Sequence, residues 1–155
     1  MENVARLYTH NNHKTREEIT KDFNKLGYEV KSTILNSADY GVPQIRKRVI
    51  FIGSRISDNI LFPKITHLNF KTVGETLSDL PKLSSGEESN LLNHKAMNHT
   101  AQMLGKMSFI KDGGDRKDIP LELRPKTGDV RKYIKYNSNK PSVTITGDMR
   151  KVFHY

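Results

Sequence analysis

Apolar residues in the first part of the chain recur at helical spacing. Thr15-Arg16-Glu17-Glu18 has the form of a capping box, the pattern that starts many helices. Apolar side chains follow at Ile19, Phe23 and Leu26, three or four residues apart. This spacing predicts a helix over about 15–26 with one buried face.

The spacing then changes to that of strands. Apolar and polar residues alternate through Tyr28–Ile34, which predicts a strand with one buried face. After the turn-rich connector Asp39–Pro43, Val49–Gly53 is a continuous apolar run, which is typical of a strand covered on both faces. A helix followed by a covered strand predicts an α/β sheet, and Met1–Val4 is interpreted as the end of an earlier strand of that sheet.

The pattern of apolar and polar residues changes after about residue 55. The boundary between two units is predicted within 55–85. Thr72-Val73-Gly74-Glu75 caps a predicted short helix that ends near Leu80-Pro81. A second helix is predicted over 98–111, where a stripe that contains methionine is expected to be core. Asp112–Asp115 breaks that helix, and Ser142–Thr146 is β-prone. We therefore predict units over 1–70 and 71–155, the second a small mixed α+β domain.

Charge narrows the choice of partner. The chain has 26 Lys and Arg against 17 Asp and Glu, a formal net charge of +9, which favours a polyanion. No apolar run approaches the roughly 18–20 residues that span a bilayer, and no signal-peptide pattern opens the chain. A nucleic acid is therefore favoured over a membrane surface.

The absence of cysteine excludes several chemistries from this chain. With no Cys, it has no disulfide, no Cys-ligated zinc and no thiol nucleophile of its own, and a reducing, cytoplasmic location is expected. The six His show no metal-ligand spacing, and His94 and His99 are interpreted as surface residues. No metal site is predicted.

The segment Leu35–Gly53 carries the most specific motif. Its residues Asp39-Tyr40-Gly41-Val42-Pro43-Gln44-Ile45-Arg46-Lys47-Arg48, followed by an apolar strand, closely resemble the Gln-x-Arg-x-Arg region of cytosine-5 DNA methyltransferases. Glu2-Asn3-Val4 is similar to the Glu-Asn-Val motif of that family. Thr72–Pro81 resembles the segment that leads into its target-recognition domain, and Asn139–Thr146 resembles a Pro-x-x-Thr-Ile-Thr stretch near that domain's end.

The resemblance implies an α/β fold in which a partial Rossmann-like methyltransferase sheet (1–70) precedes a target-recognition domain (71–155) that is incomplete at its C-terminal end. The family's Gly-rich cofactor motif and Pro-Cys dipeptide lie before Glu-Asn-Val, and its final Gly-Asn motif lies after the last residue here. The resemblance therefore implies a fragment that is inactive alone. S-adenosylmethionine would be bound mainly by the N-terminal part, with no cofactor-binding residue in this chain.

The same resemblance assigns catalytic roles to Glu2, Arg46 and Arg48. Glu2 would hold N3 and the amino group of an extruded cytosine, largely enclosed and with a raised pKa. Arg48 would point at the cytosine O2, and Arg46 would position the base or a phosphate. An exposed terminal glutamate and a solvated basic strand edge are the alternatives. Strand alternation places both arginines on one face, with Lys47 on the other.

DNA contacts are expected from Gln44 and from the second unit. Gln44 has the alternative role of bonding the backbone of the turn. Thr144 with Ile145 resembles a pair that contacts the backbone beside the flipped nucleotide, with an ordinary strand threonine as the alternative. Arg131 and Lys140 are candidate DNA contacts within a basic stretch in which most charges are expected to meet phosphates or solvent. That stretch contains Lys106, Lys111, Arg116, Lys117, Arg124, Lys126, Arg131, Lys132, Lys135, Lys140, Arg150 and Lys151.

Three functional hypotheses follow. The first is a methyltransferase fragment whose partners are double-stranded DNA and the missing segments, joined in cis or supplied by a complementing subunit. The second is a stand-alone basic DNA-binding module. The third, an RNA-binding domain, lacks the aromatic pattern and the Gly-x-x-Gly clamp of common modules. A truncated sheet would also expose an edge and an apolar face, so a dimer is expected of the isolated chain.

Overall fold

The protein is described by a computed structural model that covers residues 1–125, 133–145 and 152–153. The chain divides into two compact units, Met1–Phe70 and Lys71–Tyr155, which are treated separately below. The roles assigned to them, catalytic core and target recognition, stay predictions.

The first unit is a three-stranded antiparallel sheet with one helix. Strands β1, β2 and β3 are Glu2–Val4, Glu29–Asn36 and Lys47–Ser54, and the helix α1 is Lys14–Lys25. The strand order is β1-β3-β2, so β3 is the middle strand. The prediction of an α/β unit is confirmed in that a helix packs with a sheet, and the strands of the described sheet all pair antiparallel.

One face of the sheet forms the core of this unit. Val30, Val49 and Phe51 are buried on it, and the side chains packed against them are Leu7, Tyr8, Ile19, Phe23 and Tyr28. Burial of a phenylalanine side chain like that of Phe51 stabilises a fold by about 1.5–3 kcal/mol. The predicted helix is confirmed. Its apolar stripe is covered only in part, because Ile19 and Phe23 are partly buried against the core whereas Leu26, which follows the helix, is 61% exposed.

The opposite face is only half covered. Ile50 and Ile52 are half-buried, and Val4 beside them on β1 is 54% exposed. The prediction that β3 is covered on both faces is therefore wrong for this structure, because only alternate residues of its apolar run are buried. Because this apolar face is only half covered, the dimer expected of the isolated chain stays a prediction. Sedimentation equilibrium would test it, and a monomer at all concentrations would contradict it.

The start of α1 differs from the predicted capping box. The residue before the helix is His13, in the left-handed region at φ 68°, with no side-chain cap. Thr15 lies inside the helix, and its hydroxyl contacts the His10 Nδ1 at 2.7 Å. The capping-box interpretation is wrong here because the helix begins at Lys14, which makes Thr15 its second residue and not its cap.

The capping box predicted for the second unit is confirmed. Helix α2 is Val73–Leu77. The Thr72 hydroxyl accepts a hydrogen bond from the Glu75 amide, and the Glu75 carboxylate accepts one from the Thr72 amide at 2.8 Å. The hydrogen bond from the Thr72 backbone holds the pKa of the Glu75 carboxyl below its usual value.

Helix α3, Ala101–Met107, is shorter than the predicted 98–111. The Thr100 hydroxyl accepts the Met103 amide, which fixes the start of the helix. The stripe is core only in part, because Leu104 is 41% exposed while Ile110, beyond the helix, is buried.

The second unit also has a small buried core and one pair of short strands. Val73, Ile110, Ile119 and Ser142 are buried. Strands β4 (Ile134–Lys135) and β5 (Val152–Phe153) pair in parallel. The β-prone segment 142–146 forms no extended strand over its described residues 142–145.

Candidate functional site

Glu2 and Arg48 lie side by side on the half-covered face of the sheet. The register pairs Glu2 with Ile50 and Val4 with Arg48, so Glu2 and Arg48 are diagonal neighbours on the same face. The Arg48 Nε and the Glu2 Oε1 form an ion pair, with the two atoms 3.1 Å apart. The structure therefore brings together two of the three residues that the sequence placed at one site, and their catalytic roles stay predictions.

The two partners differ in exposure. The Arg48 side chain is 22% exposed, whereas that of Glu2 is 55% exposed. The expectation that Glu2 is largely enclosed is therefore wrong for this structure. The reason is its position on β1, an edge strand whose three residues are all exposed. Arg48 is better covered because it lies on the middle strand.

Arg48 and Arg46 are fixed in different ways. The Arg48 Nη1 also donates to the Lys47 carbonyl at 2.8 Å, which directs its guanidinium along the strand. Arg46 precedes β3 and is fixed through its backbone, whose amide donates to the Asn36 Oδ1 at 3.1 Å. Among the ion pairs of the described residues, Arg46 has none with Glu2. The structure thus brings Arg48, but not Arg46, to the glutamate.

Gln44 takes part in the turn before β3 through its main chain. The Ser37 hydroxyl donates to the Gln44 carbonyl at 2.6 Å, and the Gln44 amide donates to the Val42 carbonyl at 2.7 Å. These bonds agree with a structural role in the turn. A DNA contact by its side chain stays a prediction.

In the second unit, several residues of the segment from Lys140 to Ile145 are exposed. Lys140 and Ile145 are exposed, Thr144 is half-buried and Ser142 is buried. Arg131, the remaining predicted DNA contact, lies outside the described residues. The arrangement leaves Lys140 and Ile145 accessible to a ligand.

Asp112, which was predicted only to break a helix, anchors the turn that precedes this segment. Its carboxylate accepts hydrogen bonds from the Ser138 amide at 3.0 Å and from the Ser138 hydroxyl at 2.7 Å. The Ser138 carbonyl accepts the Gly74 amide, and the Lys140 carbonyl accepts the Val73 amide. The start of α2 and Asp112 therefore hold the turn from both sides.

Two arginines of the basic stretch are occupied within the fold. Arg116 donates to the Pro125 carbonyl at 2.6 Å. Arg124 donates to the carbonyls of Lys117 and Ile119 at 2.7 and 3.0 Å. Both guanidiniums therefore hydrogen-bond to carbonyls within the loop 116–125. The prediction that most charges of this stretch meet phosphates or solvent does not describe these two residues.

The glycine pair after α3 is also used by the fold. The Asn137 side chain fills the space beside Gly113, where φ is +73°, and the Lys111 carbonyl lies against Gly114. Groups of the protein itself therefore occupy the space beside both glycines. The helix-terminator interpretation is modified, because α3 ends six residues before Gly113.

Neither a membrane helix nor a metal cluster is found in the part of the chain that the structure describes. None of its helices has the length and apolar character needed to cross a bilayer. No group of three or more His, Cys, Asp or Glu side chains is placed to hold a metal ion among the same residues.

The family model for C-5 cytosine-specific DNA methylases matches residues 1–153. The chain belongs to this family. The match covers both structural units, and with them the Glu2–Arg48 pair and the Lys140–Ile145 segment.

Curated methylases of bacteria are similar over nearly the whole chain. A type II methyltransferase of Haemophilus parahaemolyticus, M1.HphI, is 62% identical over 155 residues, which are 100% of this chain and 42% of that protein. M.NgoFVII of Neisseria gonorrhoeae is 33% identical and is matched over 93% of this chain and 40% of its own length. The chain therefore spans less than half the length of these methylases.

A solved structure supports the fold. The protein described as a DNA modification methyltransferase encoded within an E. coli prophage superposes with a TM-score of 0.59 at 17% identity, over 92% of this chain and 51% of the other. The mixed α/β arrangement is thus shared with a methylase structure. Residue roles do not follow from identity this low.

Proposed function

We propose that this methylase chain is the base-holding and DNA-recognition part of a DNA (cytosine-5-)-methyltransferase. The complete enzyme transfers a methyl group from S-adenosylmethionine to C5 of a cytosine flipped out of a specific duplex site, within a restriction-modification system. The chain alone is inactive. The observation that carries the proposal is the placement of Glu2 and Arg48 on one sheet face, 3.1 Å apart, in a chain of this family.

The chemistry explains why this pair is needed. Cytosine C5 is a poor nucleophile until a nucleophile adds to C6, and negative charge then develops on N3 and O2 of the ring. A protonated Glu2 donates to N3, while its carbonyl oxygen accepts from the exocyclic amino group. Arg48 donates to O2, where its planar fork gives directed hydrogen bonds. Both residues therefore act where charge accumulates.

The ion pair in the structure suits a site that must open to a base. A partly exposed pair contributes only about 0–1 kcal/mol, because water competes for both charges. A cytosine edge offers Glu2 and Arg48 new partners, so separating them costs little. Extrusion of the base from the duplex stack costs a few kcal/mol.

Arg46 and Gln44 act at the margin of this site. The backbone of Arg46 is fixed two residues before Arg48, and its side chain positions the base or an adjacent phosphate. Gln44 holds the turn and contacts DNA beside the extruded nucleotide.

The second unit reads DNA. Lys140 contacts a phosphate, and Thr144 with Ile145 contacts the backbone beside the flipped nucleotide, on a segment held by the Asp112–Ser138 bonds. Arg131 adds a further phosphate contact. Binding is expected to weaken steeply with salt, since each phosphate contact releases counterions.

S-adenosylmethionine supplies the methyl group, and the residues of this chain do not fit it. The sequence has no Gly-x-Gly run, and an adenosyl group has no glycine-rich loop to lie against. We assign its binding, and the thiolate that adds to C6, to segments that the longer methylases have beyond the matched region. In the cytoplasm, those segments would complete a Rossmann-like sheet on which Met1–Phe70 forms one part.

A stand-alone DNA-binding module is the second candidate. The net charge of +9 favours it as much as it favours a methyltransferase fragment. The Glu2–Arg48 pair favours the fragment, because a module that only reads DNA has no need of a carboxylate beside the arginine.

A chimera tests the proposal. The segment of M1.HphI that aligns with this chain is replaced by the 155 residues, and transfer of labelled methyl groups to duplex DNA is measured. We expect methyl transfer by the chimera and none by the chain alone.

A chimera that folds and binds DNA but transfers no methyl groups would contradict the proposal. Salt-dependent DNA binding by the chain alone, together with an inactive chimera, would support the stand-alone module. M1.HphI itself serves as the positive control.

A further inference from the structure

A histidine ring lies against the glycine at the centre of the turn that leads to the arginine motif. Gly41 is in the left-handed region at φ +84°, and a Cβ added there would lie 2.7 Å from the His67 Cε1 and 2.8 Å from its Nε2. The ring therefore occupies the space that any side chain at position 41 would need. The Thr66 hydroxyl contacts the His67 Nδ1 at 2.9 Å, which fixes the plane of the ring.

Hydrogen bonds tie the same segment to the turn. The amides of Thr66 and His67 both donate to the Asp39 carbonyl, at 3.1 and 3.0 Å. The Tyr40 hydroxyl donates to the Pro63 carbonyl at 3.1 Å. Pro63–His67 thus contacts three successive residues of the turn, Asp39, Tyr40 and Gly41.

Apolar burial does not explain why this segment lies there. Ile65 is 57% exposed, and its neighbours outside the segment, Leu61 and Leu68, are 76% and 89% exposed. His67 is half-buried. The segment is therefore held by its polar contacts and by the ring.

The turn transmits this contact to the arginine motif. Ser37 lies two residues before the turn. Its carbonyl accepts a hydrogen bond from the Val42 amide, and its own amide donates to the Arg46 carbonyl at 3.1 Å. The Ser37 hydroxyl holds Gln44. Arg46 follows the turn, and Arg48 lies two residues later in β3. The conformation of the turn therefore sets where β3 begins and where both arginines lie.

We propose that Pro63–His67 is a clasp that holds the turn before β3, and that His67 is a positioning residue for Arg46 and Arg48. The catalytic part of this inference rests on the proposed function. The clasp itself concerns only the first unit and is tested without activity.

Hydrogen exchange of the full chain tests the clasp. In His67→Ala, the amides of residues 39–42 and 44–46 are expected to exchange about tenfold faster, since the ring that lies against Gly41 is lost while the backbone bonds to Asp39 remain. Val49 and Phe51 keep their rates within about twofold, because their exchange reports the sheet. His67→Phe keeps a ring against Gly41 and restores most of the protection, and Leu68→Ala is the matched exposed control.

Unchanged exchange at 39–46 in His67→Ala would overturn the clasp, as would an equal rise across the whole sheet. In the chimera, we expect His67→Ala to lower kcat at saturating DNA about tenfold, and His67→Phe to recover most of it. Faster exchange with a normal kcat would overturn the positioning role. An inactive chimera with unsubstituted His67 would defeat the proposed function, while the exchange result would still decide the clasp.

Discussion

Replacing Arg48 by alanine in the chimera is expected to lower kcat at saturating DNA by about 10²–10³-fold, the effect of removing one preorganised donor from developing charge. The expectation rests on the position of the Arg48 side chain, which is 22% exposed and whose guanidinium contacts Glu2 and the Lys47 carbonyl. Arg48→Lys is not expected to restore the rate, because a single ammonium lacks the planar fork. Single-turnover methyl transfer measures the chemical step directly.

Lys47→Ala is the matched control for this substitution. Lys47 is the adjacent residue of β3, carries the same charge and is exposed on the opposite face of the strand. Its bond to Arg48 uses the backbone carbonyl, which alanine retains. Equal losses in the two variants would indicate a general charge effect, and normal kcat in Arg48→Ala would remove the catalytic assignment.

Gly41→Ala is expected to destabilise the first unit by about 2–3 kcal/mol, and Gly27→Ala by about 1 kcal/mol. Both glycines are left-handed, at φ +84° and +81°. Nothing lies within 4 Å of a Cβ added at Gly27, whereas at Gly41 the His67 ring must move. The first substitution therefore has a steric cost in addition to the backbone cost that both share.

Urea unfolding of the two variants, monitored by circular dichroism, measures the difference. Gly41→Ala combined with His67→Ala should recover part of the loss, because the small side chain leaves room for the new Cβ. Equal destabilisation at positions 27 and 41 would show that the ring yields without cost.

Local patterns gave much of the fold before the structure. The helix after residue 13, the strands on either side of the Asp39–Pro43 connector and the capping box at Thr72 are set by neighbours within a few residues. Such interactions are visible in sequence because spacing and side-chain chemistry suffice to define them. The motif around Gln44–Arg48 was visible for the same reason.

Contacts between distant residues were not visible. Nothing near His67 indicates that its ring covers Gly41, and nothing near Asp112 indicates that its carboxylate holds Ser138, 26 residues away. A single histidine with no metal-ligand spacing and an aspartate before two glycines have ordinary surface explanations. The exposure of Glu2 was also misjudged, since burial depends on which strand lies at the edge of the sheet.

The register between β1 and β3 has a consequence for how this protein can change. Glu2 reaches Arg48 because Glu2 pairs with Ile50 and Val4 with Arg48. Sliding β1 by one position would turn the carboxylate towards α1 and away from the arginine, since neighbouring strand residues point to opposite sides. Even a single residue added between Glu2 and Val4 would therefore separate the acid from its partner.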